Sequence, residues 1–272
     1  MLIHPLILLS TPYDHRMDNE QKPKGYGSAL DKALAVLELI TEQRQAVGLP
    51  DLAAKMDMPR QSVHRILLQL EDLGLIIRDA SRDRFLVGPR LSQLSVNALF
   101  TENHNMPTRV ILQELVGDIQ ESCNIGVLDG MDFVYLDRIQ SKQSLRIHLD
   151  TGNRVPAYCT SGGKVLLAHL EPRMRRNLVD LKELKSHTKT TLTTQSALEK
   201  AFKAALSSGY SVNNQEFTAG IVGVAVPITD STGRAIAALA CHAPLARTSL
   251  DQLVTYIPKL QASAKSLGLY WS

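Results

Sequence analysis

Arg60, Gln61, Ser62, His64 and Arg65 fall within one short run, and every one of them can donate a hydrogen bond. No carboxylate stands among them. On a helix whose other face carries Val63, Ile66, Leu67, Leu70 and Leu73, the long polar side chains share the outward face, with Ser62 at its margin. Guanidinium and carboxamide groups placed this way reach phosphates and base edges, the chemistry a recognition helix needs in the major groove of double-stranded DNA. A solvated face on an ordinary helical hairpin has the same composition, so the assignment depends on its surroundings.

Those surroundings favour DNA. Leu52, Ala53 and Met56 form an apolar stripe at helical spacing, which Asp57-Met58-Pro59 interrupts. Pro59 is expected in the first helical turn of the second helix, with Asp57 or Met58 as the capping region. Gly74 stands where a left-handed C-terminal cap belongs. The β-type runs Leu75–Arg78 and Arg84–Val87 flank the turn residues Asp79–Asp83, which predicts a hairpin wing bearing Arg78, Arg82 and Arg84. The whole reads as a winged helix-turn-helix. Net charge is only +3, and residues 25–105 hold nine Lys/Arg against ten Asp/Glu. The DNA reading therefore rests on patterning rather than bulk charge.

A second stretch able to do chemistry is Cys159–Lys164. The small residues Ser161, Gly162 and Gly163 at a helix start leave backbone N–H groups open to a carboxylate or phosphate. Tight packing of backbone against a sheet would use the same residues. Asn213-Asn214-Gln215-Glu216 is a polar run beside a strand, suited to a ligand or to a solvated loop. An enzyme reading also exists: Ser161-Gly-Gly-Lys164 fits S-x-x-K, Ser211-Val-Asn213 fits S-x-N, and Lys189-Thr-Thr191 partly fits K-T-G. The order is wrong for serine acyl-transferases of the penicillin-binding kind. His148, Cys159, Cys241 and His242 have poor spacing for a metal, and no metal or cofactor is expected.

The elements that must position these groups can be traced through the chain. A length of 272 residues, with 44% hydrophobic and 21% charged residues, is that of an ordinary globular protein of two domains. Three scattered cysteines suit a reducing cytoplasm. The opening MLIHPLILLS is broken by His4 and Pro5 and too short to span a bilayer, and Met17 is an alternative start. The expected organisation is a disordered tail over 1–26, a winged domain over 27–88, a linker helix over 89–106 and an α/β domain over 107–272. Ser28 caps the first helix, whose core face is Leu30, Ala33, Leu34, Leu37 and Ile40. In the second domain, strands are expected at Cys123–Leu128, Phe133–Ile139, Ser144–Leu149, Gly209–Gln215, Val222–Asp230 and Ala235–His242. Helices are expected at Thr108–Glu121, Lys164–Leu170, Glu171–Leu181, Gln195–Leu206 and Thr248–Leu267. The fold class is α+β.

From about Gly27 to Leu267 the chain resembles the isocitrate-lyase-regulator (IclR) type bacterial transcription factors. The matching segments are Ser28–Leu34, Gln61–Arg65, Arg84–Leu91, Gly152–Pro156, Gly163–Ala168 and Gly209–Glu216. The resemblance implies a dimeric or tetrameric winged-helix regulator whose GAF-like C-terminal domain, with an antiparallel sheet of about six strands, binds a small metabolite. Carried over, the effector positions fall on Ser161, Gly162, Asn213, Ile221, Gly223, Ala240 and His242. This chain departs from the family pattern at four of them. An acidic residue is replaced by the amide near Asn213, an alanine-like position is Ser161, and hydroxyls near Ala240 and His242 are lost. These departures imply an effector other than a simple glyoxylate-like acid, with one carboxylate and one neutral polar end. His242 is expected to tune its affinity near neutral pH. The expected protein is a cytoplasmic repressor of a catabolic operon, acting as a homo-oligomer on operator DNA. An acyl-transfer enzyme fused to a winged module, or a winged domain with a ligand-free interaction domain, are the alternatives.

Overall fold

The computed structural model describes residues 27–43, 46–79, 83–102, 107–145, 150–179 and 184–270. Helix α1 (Ala29–Thr41) opens with a capping box: Ser28 Oγ accepts from the Asp31 amide at 3.1 Å, and the Asp31 carboxylate accepts from the Ser28 amide at 2.8 Å. Strand β1 (Val47–Gly48), α2 (Leu49–Met56) and α3 (Arg60–Asp72) follow. Asp57 does not cap α3; at φ +51° it closes α2 in the left-handed conformation, and Pro59 itself is the N-cap of α3. Gly74, at φ +69°, ends α3 as expected. Its amide donates to Glu71 and that of Leu75 to Leu70, both at 2.9 Å, the paired bonds of a Schellman motif.

Strands β2 (Ile76–Asp79) and β3 (Arg84–Val87) form the predicted antiparallel wing. β1, too short to show in the sequence, adds to the far side of β3, so β3 is the central strand of three. Val36, Ile40, Leu52, Met56, Val63, Leu67, Ile76 and Phe85 make the core. Leu30 and Leu34, assigned to that core by periodicity, are instead 67% and 48% exposed, and Leu73 is exposed as well. The core stripe of α1 is rotated onto Val36 and Ile40, leaving an apolar edge outside.

Helix α4 (Pro89–Glu102) leads to α5 (Pro107–Ile119), β4 (Ser122–Asp129) and β5 (Asp132–Ile139). The expected strand at Ser144–Leu149 is not in the sheet: Ser144 and Leu145 are not strand, and 146–149 lie outside the described residues. The edge position goes to β6 (Arg154–Pro156), whose guanidinium bonds Asp129 at 2.7 Å and Asp132 at 2.9 Å. An edge tolerates Pro156, which has no N–H to give a ladder. After a single 3₁₀ turn (Ala157–Cys159) come α6 (Ser161–His169), α7 (Pro172–Leu178) and α8 (Gln195–Ser208). α6 begins three residues before the expected start at Lys164. Strands β7 (Ser211–Asn214), β8 (Ile221–Thr229) and β9 (Ala235–Pro244) complete an antiparallel sheet of order β6-β5-β4-β9-β8-β7. The single closing helix expected from Thr248 divides into α9 (Leu250–Val254) and α10 (Ile257–Tyr270). Pro258, lacking an N–H, cannot continue the ladder across that point.

The sheet's two faces differ in side-chain size. Val222, Val224, Val226 and Ile228 of β8 face α5 and α10 in the larger core. Ala225, Ala238 and Ala240 look the other way, toward α6 and α8. Small residues on that face let α6 approach closely, and α6 contributes its own: a Cβ on Gly162 would fall on the Phe133 ring, and one on Gly163 on the Ala157 backbone. Gly163→Ala should therefore cost about 1–3 kcal/mol of stability. Gly117→Ala, on the exposed side of α5 with nothing within 4 Å of its Cβ position, should gain roughly 0.5–1 kcal/mol from helix propensity. Chemical denaturation of the full chain reads both, and equal shifts for the two would contradict the packing described.

Candidate functional site

Helix α3 presents Arg60, Gln61, His64 and Arg65 to solvent, with Ser62 half-buried at the edge. None of the first four enters an ion pair among the described residues. Ser62 and Val63 amides both donate to the Pro59 carbonyl, so the amides of Arg60 and Gln61 are the ones left at the first turn. The wing is less basic than its composition suggested. Arg78 is committed to Glu71 at 3.2 Å and to Asp83 at 2.5 Å, and it lies 5.0 Å over the Phe85 ring. Arg84 is half-buried on the central strand and donates to the Ala46 carbonyl at 3.2 Å, which draws its guanidinium back from the wing tip. Arg82 lies outside the described residues.

Helix α4 joins the winged domain to the rest. The Arg90 guanidinium donates to the Leu73 carbonyl at 3.1 Å and its amide to Gly74 at 3.2 Å, so α4 starts on the C-terminal end of α3. Further along, Val96 is buried in the core shared by α5 and the sheet. The segment expected as a linker is thus fastened at its start to α3 and at its middle to the second core.

The second site is a small cavity, about 80 Å³, beside the first turn of α6. It gathers Ser161, Gly162, Asn213, Ile221, Ala240 and His242, all expected from the resemblance. Gly163 is not in the lining: its amide donates to the Thr160 side chain at 3.3 Å and its Cα faces Ala157, so it serves packing. Gly223 sits behind, where a Cβ would meet Ser161 Oγ at 3.3 Å. Asn124, Phe133, Tyr135, Thr160, Phe217 and Thr218 complete the wall and were missed. Asn124 had a readable signal, since it is an amide at an inward position between Cys123 and Ile125.

Among the described residues, no lysine, arginine, aspartate or glutamate lines the cavity. The amides of Ser161 and Gly162 precede the first intrahelical bond of α6, which begins with Lys164 donating to Thr160 at 3.0 Å. Nearby charges are neutralised. Lys164 and Glu216, both almost fully buried, form an ion pair, and burial pushes the lysine below its ordinary pKa while Glu216 pulls the other way. Glu216 is further held by its own amide, which donates to Asn213 Oδ1 at 2.8 Å. Asn213 and Glu216 are therefore a buried anchor, Asn214 is exposed, and of this run Asn213 alone lines the cavity, where its NH₂ remains for a ligand.

These contacts occupy the groups that an acyl-transfer motif would need free. Lys164 is spent on Glu216, Ser211 Oγ donates to the Ser161 carbonyl, and Asn213 binds a backbone amide. Cys159 and Cys241 belong to cores on opposite faces of the sheet, and His148 lies outside the described residues. His242 does not titrate near neutrality as expected: burial first, then the positive charge of Arg138, push its pKa down to about 3.

Comparison with known proteins matches both domains. The IclR helix-turn-helix domain matches residues 29–80, and the bacterial transcriptional regulator IclR C-terminal domain matches 102–269. The probable transcriptional regulator SauR of Cupriavidus necator is 38% identical over 240 residues, 88% of this chain and 95% of that protein. The crystal structure of the Thermotoga maritima IclR protein superposes with a TM-score of 0.54 at 25% identity, covering 88% of this chain and 98% of that one. A double mutant of the PobR inducer-binding domain from Acinetobacter, in complex with 3-hydroxybenzoic acid, is 29% identical with a TM-score of 0.55, over 58% of this chain and 94% of that one. With α3 and its wing in front and a cavity-bearing antiparallel sheet behind, the chain belongs to the IclR family of bacterial transcriptional regulators.

Proposed function

We propose that this regulator is a cytoplasmic repressor of a catabolic operon, bound to a two-fold operator as a homodimer or tetramer and released by a small organic acid. The observation that carries the reading is the cavity at the first turn of α6, with no charged residue among its described lining, in a domain fastened through α4 to the end of α3. The open amides of Ser161 and Gly162, at the positive end of a helix dipole, suit a carboxylate without a cation. The solved PobR complex, an inducer-binding domain holding a hydroxybenzoic acid, supports this ligand class.

Phe133 supplies a route for the signal. Its ring packs on Gly162 and Gly126 at the cavity wall, and α4 packs on the same strand, β5. A ligand seated against Phe133 would displace β5, and α4 would pass the shift to α3. Leu30 and Leu34 of α1, with the exposed Leu94 of α4, offer the apolar surface for a second copy. Two recognition helices then meet successive major-groove faces of a palindrome.

Arg65→Ala should weaken binding to all DNA and lower the salt slope by about one phosphate contact. Gln61→Ala should relax base preference, and normal gel shifts for both variants would refute the recognition-helix assignment. The parent should sediment as a dimer or tetramer with a palindromic footprint, whereas Leu30→Glu combined with Leu34→Glu should sediment as a smaller species. A monomeric parent would contradict the interface. Gly162→Leu, whose side chain would press on the Phe133 ring, should abolish effector binding and weaken operator binding without effector in fluorescence anisotropy, with melting curves confirming that it folds; an unchanged operator affinity would contradict the route through Phe133.

A further inference from the structure

At the inner end of the cavity, Asn124 and His242 are joined by a hydrogen bond of 3.2 Å between the carboxamide nitrogen and Nδ1. Both line the cavity, Asn124 is almost fully buried, and each retains one atom with no partner among the described residues: Asn124 Oδ1 and His242 Nε2. With the ring neutral, a donated bond at Nδ1 puts the ring proton on Nε2, leaving Nε2–H as donor and Oδ1 as acceptor. Turning the carboxamide over reverses both roles, with Nδ1–H donating to the oxygen, the NH₂ left as donor and Nε2 as acceptor. Either arrangement presents one donor and one acceptor side by side.

We propose that Asn124 and His242 form a donor–acceptor couple that selects an effector whose inner end both gives and takes a hydrogen bond. A hydroxyl or a primary carboxamide does so. A carboxylate offers only acceptors and leaves the couple's acceptor facing another, while an ammonium offers only donors and leaves its donor facing another. The inference rests on the cavity being the effector site and adds the chemistry of the ligand's second end, the first being the carboxylate at Ser161 and Gly162. Arg138, opposite Asn124 in the β4–β5 ladder, contributes a positive field at His242 that further disfavours an ammonium. A dicarboxylate, which that field would favour, is therefore the stringent competitor.

The test titrates the full-length protein by calorimetry with four series of unbranched acids of three to five carbons: ω-hydroxy acids, ω-carboxamide acids, dicarboxylic acids and ω-amino acids. At the chain length that binds, the hydroxyl- or amide-ended acid should bind about tenfold or more tightly than the dicarboxylate and the amino acid, the discrimination expected when one buried polar group is left unmatched. His242→Phe and Asn124→Leu should each shrink that preference below about threefold, with melting curves confirming that they fold. A dicarboxylate or amino acid that binds the parent as tightly, or a preference that survives both variants, overturns the proposal. If the acids bind the parent without terminal preference and are lost in Gly162→Leu, only the couple is wrong. If they still bind Gly162→Leu, the cavity is not the effector site and the couple falls with it.

Discussion

The close approach of α6 to the sheet is the constraint on which the cavity, its polarity and the coupling to DNA proposed for it depend, because a side chain on Gly162 or Gly163 would occupy space already taken by Phe133 or Ala157. The alanines of β8 and β9 leave the room from below, and Gly126 leaves it on β4. A helix brought this near presents its first-turn amides to the cavity. In the function proposed, those amides receive a ligand's carboxylate with dipoles fixed before it arrives. The buried Lys164–Glu216 pair belongs to the same arrangement. It ties α6 to the loop after β7, and removing either partner would leave an uncompensated buried charge.

Fixing the cavity in this way also makes it selective. Without a charged residue in the described lining, affinity has to come from shape, backbone amides and neutral hydrogen bonds, and unmatched polar atoms become costly. His242 held neutral keeps that pattern constant across physiological pH, so recognition is set by geometry rather than by protonation. The exposed side of the molecule follows the opposite rule. Arg60 and Arg65 remain solvated and open to phosphates, whereas Arg78 and Arg84 are spent on internal contacts.

Much of this was legible in the sequence wherever a local pattern decides the outcome. The 3.6-residue period of α3, the Gly74 cap and the Ser28 N-cap all appear as expected, because each depends on neighbours a few residues apart. What escaped depends on tertiary pairing. β1 is two residues long and exists only because β3 accepts it, and that pairing is also what draws Arg84 inward. The rotation of α1 that exposes Leu30 and Leu34 follows from where α2 and α3 pack. Asn124 and His242 meet across the β4–β9 ladder 118 residues apart, and no spacing rule joins them. The depressed pKa of His242 arises from that same burial.

The central claim is that a ligand at the first turn of α6 governs α3 through β5 and α4. Hydrogen–deuterium exchange of the full chain on operator DNA, with and without an acid shown to stabilise it, tests this directly. The account predicts added protection at 161–163 and altered exchange along Pro89–Glu102, together with loss of protection in the first turn of α3. Protection confined to the α6 region, with α4 and α3 unchanged while DNA is released, would contradict it.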